Sequence, residues 1–147
     1  MCLVSEEAKL YTVRLVWTGG KSGDLIVEGK ANIRTGVPSG GSDEAKYHSP
    51  EDLFVASAAL CYMNGFVEFT RKMRIEFKSF ECDAAGTLEK VGRSFEVTKI
   101  EMKTTVAIES EDTHRKIDRA LELAAKYCFI GNSMKCPITH ETDVAVA

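Results

Sequence analysis

The 147-residue chain has little excess charge of either sign: 19 Lys and Arg stand against 22 Asp and Glu, for a formal charge of −3, and the basic residues are scattered. Nucleic-acid binding needs a basic patch or stripe, so no nucleic-acid partner is expected. Long hydrophobic runs are scarce. The longest uncharged stretch, Leu53 to Val67, has fifteen residues, short of the roughly 20 that span a bilayer, and no signal peptide is recognised, so no membrane role is expected. Cysteine is sparse and odd in number: Cys2, Cys61, Cys82, Cys128 and Cys136. Without paired spacings or an export signal, this set argues against a disulfide scaffold and for a reducing compartment, so a cytoplasmic location is expected. Repeats and linkers are missing too. With 44% hydrophobic and 28% charged residues, the expectation is one compact domain over 1–147.

Two helices stand out. Ser49 suits an N-cap, Pro50 the first helical position, and Glu51-Asp52 the positive end of the dipole. The uncharged run that follows predicts a helix buried on nearly all sides. A chain with small sheets does not easily supply that much cover, so a homodimer is expected. The second helix, about Thr113 to Cys128, carries Ile117, Ala120, Leu121 and Ala124 on one stripe, and Cys128 continues the series toward the core.

Strands surround them. Alternation puts Tyr11, Val13, Leu15 and Trp17 on one face, Thr18 to Gly23 makes a turn, and Leu25-Ile26-Val27 completes a hairpin. A third strand is expected near Ala31 to Arg34, followed by a long loop from Thr35 to His48. Beyond the first helix, Phe80, Cys82, Ala84, Gly86 and Leu88 alternate, and the chain turns back at Glu89 to Ser94. The returning strand sets Ile100, Met102, Val106 and Ile108 on one face but Phe95 and Val97 on the other parity, which predicts a bulge near Thr98. Glu141 to Ala147 can add a last strand. Three strands, helix, two long strands, helix, strand is an α+β order, without the strict alternation of a doubly wound fold.

Cys61 and Cys128 are both carried inward, which suggests a reaction centre. Both also fit ordinary buried packing, since free cysteine is among the most buried residue types. In an apolar setting a thiol pKa rises, so Cys61 needs a cation to become a thiolate. Its own helix dipole is out of range, at about 15 Å along the axis. Lys21 in the glycine-rich turn and Arg34 before the long loop are the candidates, and Glu51 is a carboxylate that an arginine fork would hold. For the same reason Glu51 cannot sit beside its own Cys61. A Cys61 thiolate attacking a peroxide would give a sulfenic acid, which a second thiol condenses to a disulfide. Cys128 suits that second task, given local unwinding where its helix ends.

Thr18-Gly19-Gly20, Ser49-Pro50-Glu51-Asp52-Leu53-Phe54, Ala58-Ala59-Leu60-Cys61 and Tyr127-Cys128-Phe129-Ile130-Gly131-Asn132-Ser133, in this order, resemble the OsmC/Ohr family of thiol-dependent peroxidases over nearly the whole chain. The resemblance implies an intertwined α+β homodimer, two long central helices clasped by antiparallel sheets, with active sites at the interface. It implies that Cys61 is the peroxidatic cysteine, Cys128 the resolving one, and Glu51 the acidic residue that holds a catalytic arginine. It implies organic hydroperoxides as substrates and a dithiol or lipoyl group as electron donor, with no haem, flavin or metal. The family's hydroperoxide-resistance branch has Thr-Gly-Gly-Arg where this chain has Lys21, and Pro-Tyr-Ser where Phe129-Ile130-Gly131 stand. Lys21 would replace the arginine, or Arg34 would take its role. An alternative alignment puts the family's Cys-Pro on Cys136-Pro137, which lies off the helical stripe.

The remaining features read as structural. Cys136 and His140 make a lone Cys-x3-His pair, too few ligands for zinc, and are read as a loop cysteine and a surface histidine. His48 and His114 are expected to be solvated or capping, Cys2 mobile and Cys82 packed in the core. Two other functions fit the same scaffold: a non-enzymatic dimer that binds a hydrophobic ligand, and a slow redox sensor.

Overall fold

A computed structural model describes residues 8–38 and 42–147; the expectation for Cys2 and the loop tip at 39–41 lie outside the described residues. The chain divides into two compact units, the first ending at Pro50 and the second running Glu51–Ala147. In the first, β1 (Arg14–Gly19), β2 (Ser22–Ile26) and β3 (Ile33–Thr35) form an antiparallel sheet in that order. The hairpin is tighter than its sequence suggested. Gly19 and Gly20 take φ of 121° and 55°, which a Cβ disfavours, and the chain reverses across Gly20-Lys21. Val13, Leu15 and Trp17 do share a face, but Trp17 is 74% exposed and its neighbours nearly as much. The long loop is more structured than expected. It holds a 3-10 helix, Ser42–Lys46, and closes where the Gly36 N–H donates to the His48 carbonyl at 3.0 Å.

The second unit is built around α1 (Pro50–Met73), which runs on past the uncharged stretch through Glu68, Arg71 and Lys72, with the bases at the negative end of the dipole. By length and composition alone α1 is long and apolar enough to cross a membrane, a point the fifteen-residue count missed. Its Ala58, Tyr62, Phe66 and Thr70, spaced by four, are buried in the core of the unit. The expectation of burial on nearly all sides is not met within one chain. Only this row is fully buried, Val55, Ala59, Phe69 and Met73 are partly so, and Leu60 and Val67 remain 56% and 45% exposed.

Opposite α1 lies a second sheet in the order β4 (Ser79–Val91), β5 (Ser94–Ile108), β6 (Ile138–Val146), antiparallel and then parallel. The predicted bulge is present. Thr87 pairs with Lys99 and Leu88 with Val97, leaving Thr98 as the extra residue. Past the bulge the parity holds, and Ile100, Met102, Thr104, Val106 and Ile108 all face inward. Phe80, Cys82 and Ala84 pack on the same core, while Leu88, farther along the strand, is 51% exposed. Parallel β5 and β6 require a crossover, and α2 (His114–Lys126) supplies it, with Ile117, Ala120, Leu121 and Ala124 buried as their spacing predicts. His114 is not simply solvated. Glu111 hydrogen-bonds its ring at 2.5 Å and Asp118 lies 3.6 Å away, and these carboxylates raise its pKa, the Glu111 bond most.

Candidate active site

Cys128 reaches the core by a different route from the expected one. The second helix ends at Lys126, and Cys128 is the N-cap of a four-residue helix, α3 (Phe129–Asn132). In that extended conformation its Sγ turns back over the new helix and accepts the Gly131 N–H at 3.3 Å. The fit at Gly131 is tight, since a Cβ on it would stand 3.3 Å from the Cys128 sulfur and 3.1 Å from Ile138 Cδ1. The other side of the thiol meets α1. Cys128 Sγ lies 3.9 Å from the Ala58 carbonyl, and Cys61, three residues on and therefore on the same face of the helix, is near enough to act on its titration. The structure thus brings together, within one chain, the two thiols singled out from the sequence.

Their environments differ. Cys128 is buried and Cys61 half-buried. Burial pushes the Cys128 thiol pKa up, the Gly131 N–H draws it down, and Cys61 raises it again. Cys128 is therefore a poor nucleophile at neutral pH unless a base assists it. Glu51 lies in the first turn of α1, and ten residues of continuous helix keep it about 15 Å along the axis from its own Cys61. Lys21 and Arg34 belong to the first unit. The Lys21 backbone N–H donates to Glu44 Oε2 at 2.7 Å. The Arg34 Nε donates to Asp24 Oδ1 at 2.5 Å, and its guanidinium lies 5.6 Å from the centre of the Tyr47 ring. The hydrogen bond and charge of Asp24 raise the Arg34 pKa further. Arg34 is thus held in the fork-to-carboxylate manner foreseen for the activating arginine, but by Asp24.

Sequence reasoning missed the cavity behind Cys128. It measures about 240 Å³ and is lined by Cys128, Cys136, Tyr62, Asn132 and His140 among others. His140 keeps much of its surface exposed, as expected of a surface histidine, but its ring lies 4.4 Å from that of Tyr62. Partial burial lowers its pKa by disfavouring the charged form. Burial pushes the Tyr62 phenol up to about 12. Cys136 lies in the loop before β6, as expected, and is buried there. Phe66 packs with Phe77 and Phe80 at 4.8 and 5.2 Å in the core. No group of three or more His, Cys, Asp or Glu among the described residues is arranged to hold a metal ion.

The α+β order, the helix bearing Cys61 and the returning loop bearing Cys128 correspond to a known family, and residues 41–143 match its sequence model, "OsmC-like protein". The chain belongs to the OsmC-like family. The fold resembles that of an OsmC-like protein of unknown function from Vibrio cholerae, VCA0330 (TM-score 0.81, 22% identity, 92% of this chain and 99% of that one). It is also similar to an organic hydroperoxide resistance protein of Elizabethkingia anophelis (TM-score 0.67, 20% identity, 96% and 99%). A third likeness is to the organic hydroperoxide resistance protein OhrB of Bacillus subtilis (TM-score 0.64, 19% identity, 92% and 99%). Comparison with curated proteins finds no match.

Proposed function

We propose that the protein is a thiol-dependent peroxidase that reduces organic hydroperoxides. The observation that carries the reading is the interaction of Cys61 with the buried Cys128. The Cys61 thiolate attacks the terminal peroxide oxygen, the O–O bond breaks, an alcohol leaves and Cys61 becomes a sulfenic acid. Cys128 then condenses with that acid, releasing water and leaving a disulfide. A dithiol or lipoyl donor returns both to thiols. Arg34 or Lys21 stabilises the thiolate, and Glu51, too far along its own helix, orients that cation from a second copy. Membership of a family with hydroperoxide resistance proteins among its structural neighbours supports the chemistry.

The working form is a homodimer. The uncovered apolar side chains of α1, Phe54, Leu60 and Val67, and the exposed Leu15 and Trp17 of β1 favour burial against a second copy. Free thiols at the core fit the reducing cytoplasm. The test is Cys61→Ser: consumption of cumene hydroperoxide with dihydrolipoamide falls to background while the far-UV spectrum is unchanged. Undiminished turnover rejects the assignment. The raised Cys128 pKa favours a second reading, a slow redox switch, in which one equivalent of peroxide oxidises the protein but no catalytic cycle follows.

A further inference from the structure

The resolving step needs a base. Cys128 must surrender its proton to attack the sulfenic acid, and burial holds that proton on sulfur. The cavity behind the thiol offers one group suited to take it. His140 lines the cavity with Cys128 and also lines two open surface grooves, so the residue stands between the thiol's compartment and bulk water. Its position is fixed by pairing with Met102 on β5 and by the Tyr62 ring, one residue from Cys61. At about 240 Å³ the cavity has room for several waters between sulfur and imidazole.

We infer that His140 is the proton shuttle of disulfide formation, accepting the Cys128 proton through the cavity and passing it to solvent. This rests on the peroxidase reading. The reaction is Cys61–SOH plus HS–Cys128 giving Cys61–S–S–Cys128 plus water. The S–O bond breaks as the S–S bond forms, the Cys128 sulfur is oxidised and the Cys61 sulfur reduced. The Cys128 proton passes through His140 to solvent and the leaving hydroxide takes one proton from solvent to become water, so no net proton is released, and the sole oxidant is the organic hydroperoxide that made the sulfenic acid. An imidazole that is neutral at pH 7 is the required acceptor, and the lowered pKa of His140 keeps it so. The other titratable groups around it do not fill the role. Asp118, Glu122 and Lys126 of α2 share one outer groove with His140, and Glu101, Lys103 and Glu141 share the other, but none of these lines the thiol's cavity. Within the cavity, Cys136 offers only a thiol, and burial keeps the Tyr62 phenol protonated at neutral pH.

The experiment separates the two steps. After one equivalent of cumene hydroperoxide, dimedone trapping reads Cys61 sulfenate, and quenched non-reducing mass spectrometry reads the Cys61–Cys128 disulfide from pH 5 to 9. In the wild type the disulfide rate rises through a histidine titration below pH 6.5 and then levels before the thiol itself ionises. In His140→Gln the plateau is lost, the rate climbs in proportion to hydroxide, and at pH 7 it is down about 100-fold, while sulfenate appears at the wild-type rate. Added imidazole restores part of the rate in His140→Ala. A wild-type disulfide rate without the low-pH limb, or folded His140 variants with the wild-type profile, would overturn the inference and leave the peroxidase reading intact. Absence of sulfenate in the wild type would instead remove the reading itself, and the inference with it. The wild-type profile decides even if no variant folds.

Discussion

Replacing Thr104 by Val should stabilise the protein. Thr104 lies on the inner face of β5, fully buried, and neither its Oγ1 nor the Tyr62 hydroxyl makes a hydrogen bond to the described residues. The two hydroxyls are near enough for Thr104 to act on the tyrosine titration, yet not aligned as a bond. A buried hydroxyl without a partner costs about 1–3 kcal/mol. Thr104→Val keeps the shape and removes the cost, so a gain of about 1 kcal/mol is expected, and a similar gain for Tyr62→Phe, which keeps the ring against His140 and Phe80. Urea unfolding at fixed protein concentration is the assay. With an m-value of about 2 kcal/mol/M, each single variant moves the midpoint up by roughly 0.5 M at unchanged slope. The double variant completes a cycle. If each single change lowers the midpoint and the double change restores it, the hydroxyls are partners and the reasoning fails. Hydroperoxide consumption by Thr104→Val should equal that of the wild type.

Three further outcomes follow from the same structure. Because Tyr62 is pushed up to about 12 from 10.0, the folded state favours the neutral phenol, so this contribution is complete below pH 10 and lost as pH rises toward 12. Alkaline unfolding monitored by circular dichroism should therefore begin at higher pH in Tyr62→Phe. Ile117→Ala, at a fully buried position on α2, should cost about 2–5 kcal/mol in urea unfolding. Gly36→Ala would force its Cβ into the Glu44 backbone carbonyl, so limited proteolysis should cut the first unit several-fold faster while the β4–β5 hairpin stays protected.

Local rules made much of this fold readable. The stripe Ile117, Ala120, Leu121, Ala124 gave α2, and the parity break between Val97 and Ile100 gave the bulge at Thr98, because both depend on neighbours in sequence. Cys128 shows the limit of such rules. Helical spacing carried it onto the stripe, but α2 ends at Lys126 and the thiol becomes the cap of another turn, with the same burial from a different cause. His140 reads in the sequence only as a surface histidine, for a non-local reason. Its place beside Tyr62 follows from the parallel register of β6 on β5, which puts it opposite Met102, and no pattern within Ile138 to Val146 contains that register. The extent of α1 burial was likewise overestimated from composition, since an apolar run records what a helix avoids and not which of its faces its own chain covers.

The central claim is that Cys61 and Cys128 meet and exchange oxidising equivalents. Peptide mass mapping after a single equivalent of an organic hydroperoxide tests it most directly. The account predicts one intramolecular crosslink joining the Cys61 and Cys128 peptides, reversed by dihydrolipoamide. Stable sulfinic acid on Cys61 with Cys128 still a free thiol, or no oxidation of either, would contradict it.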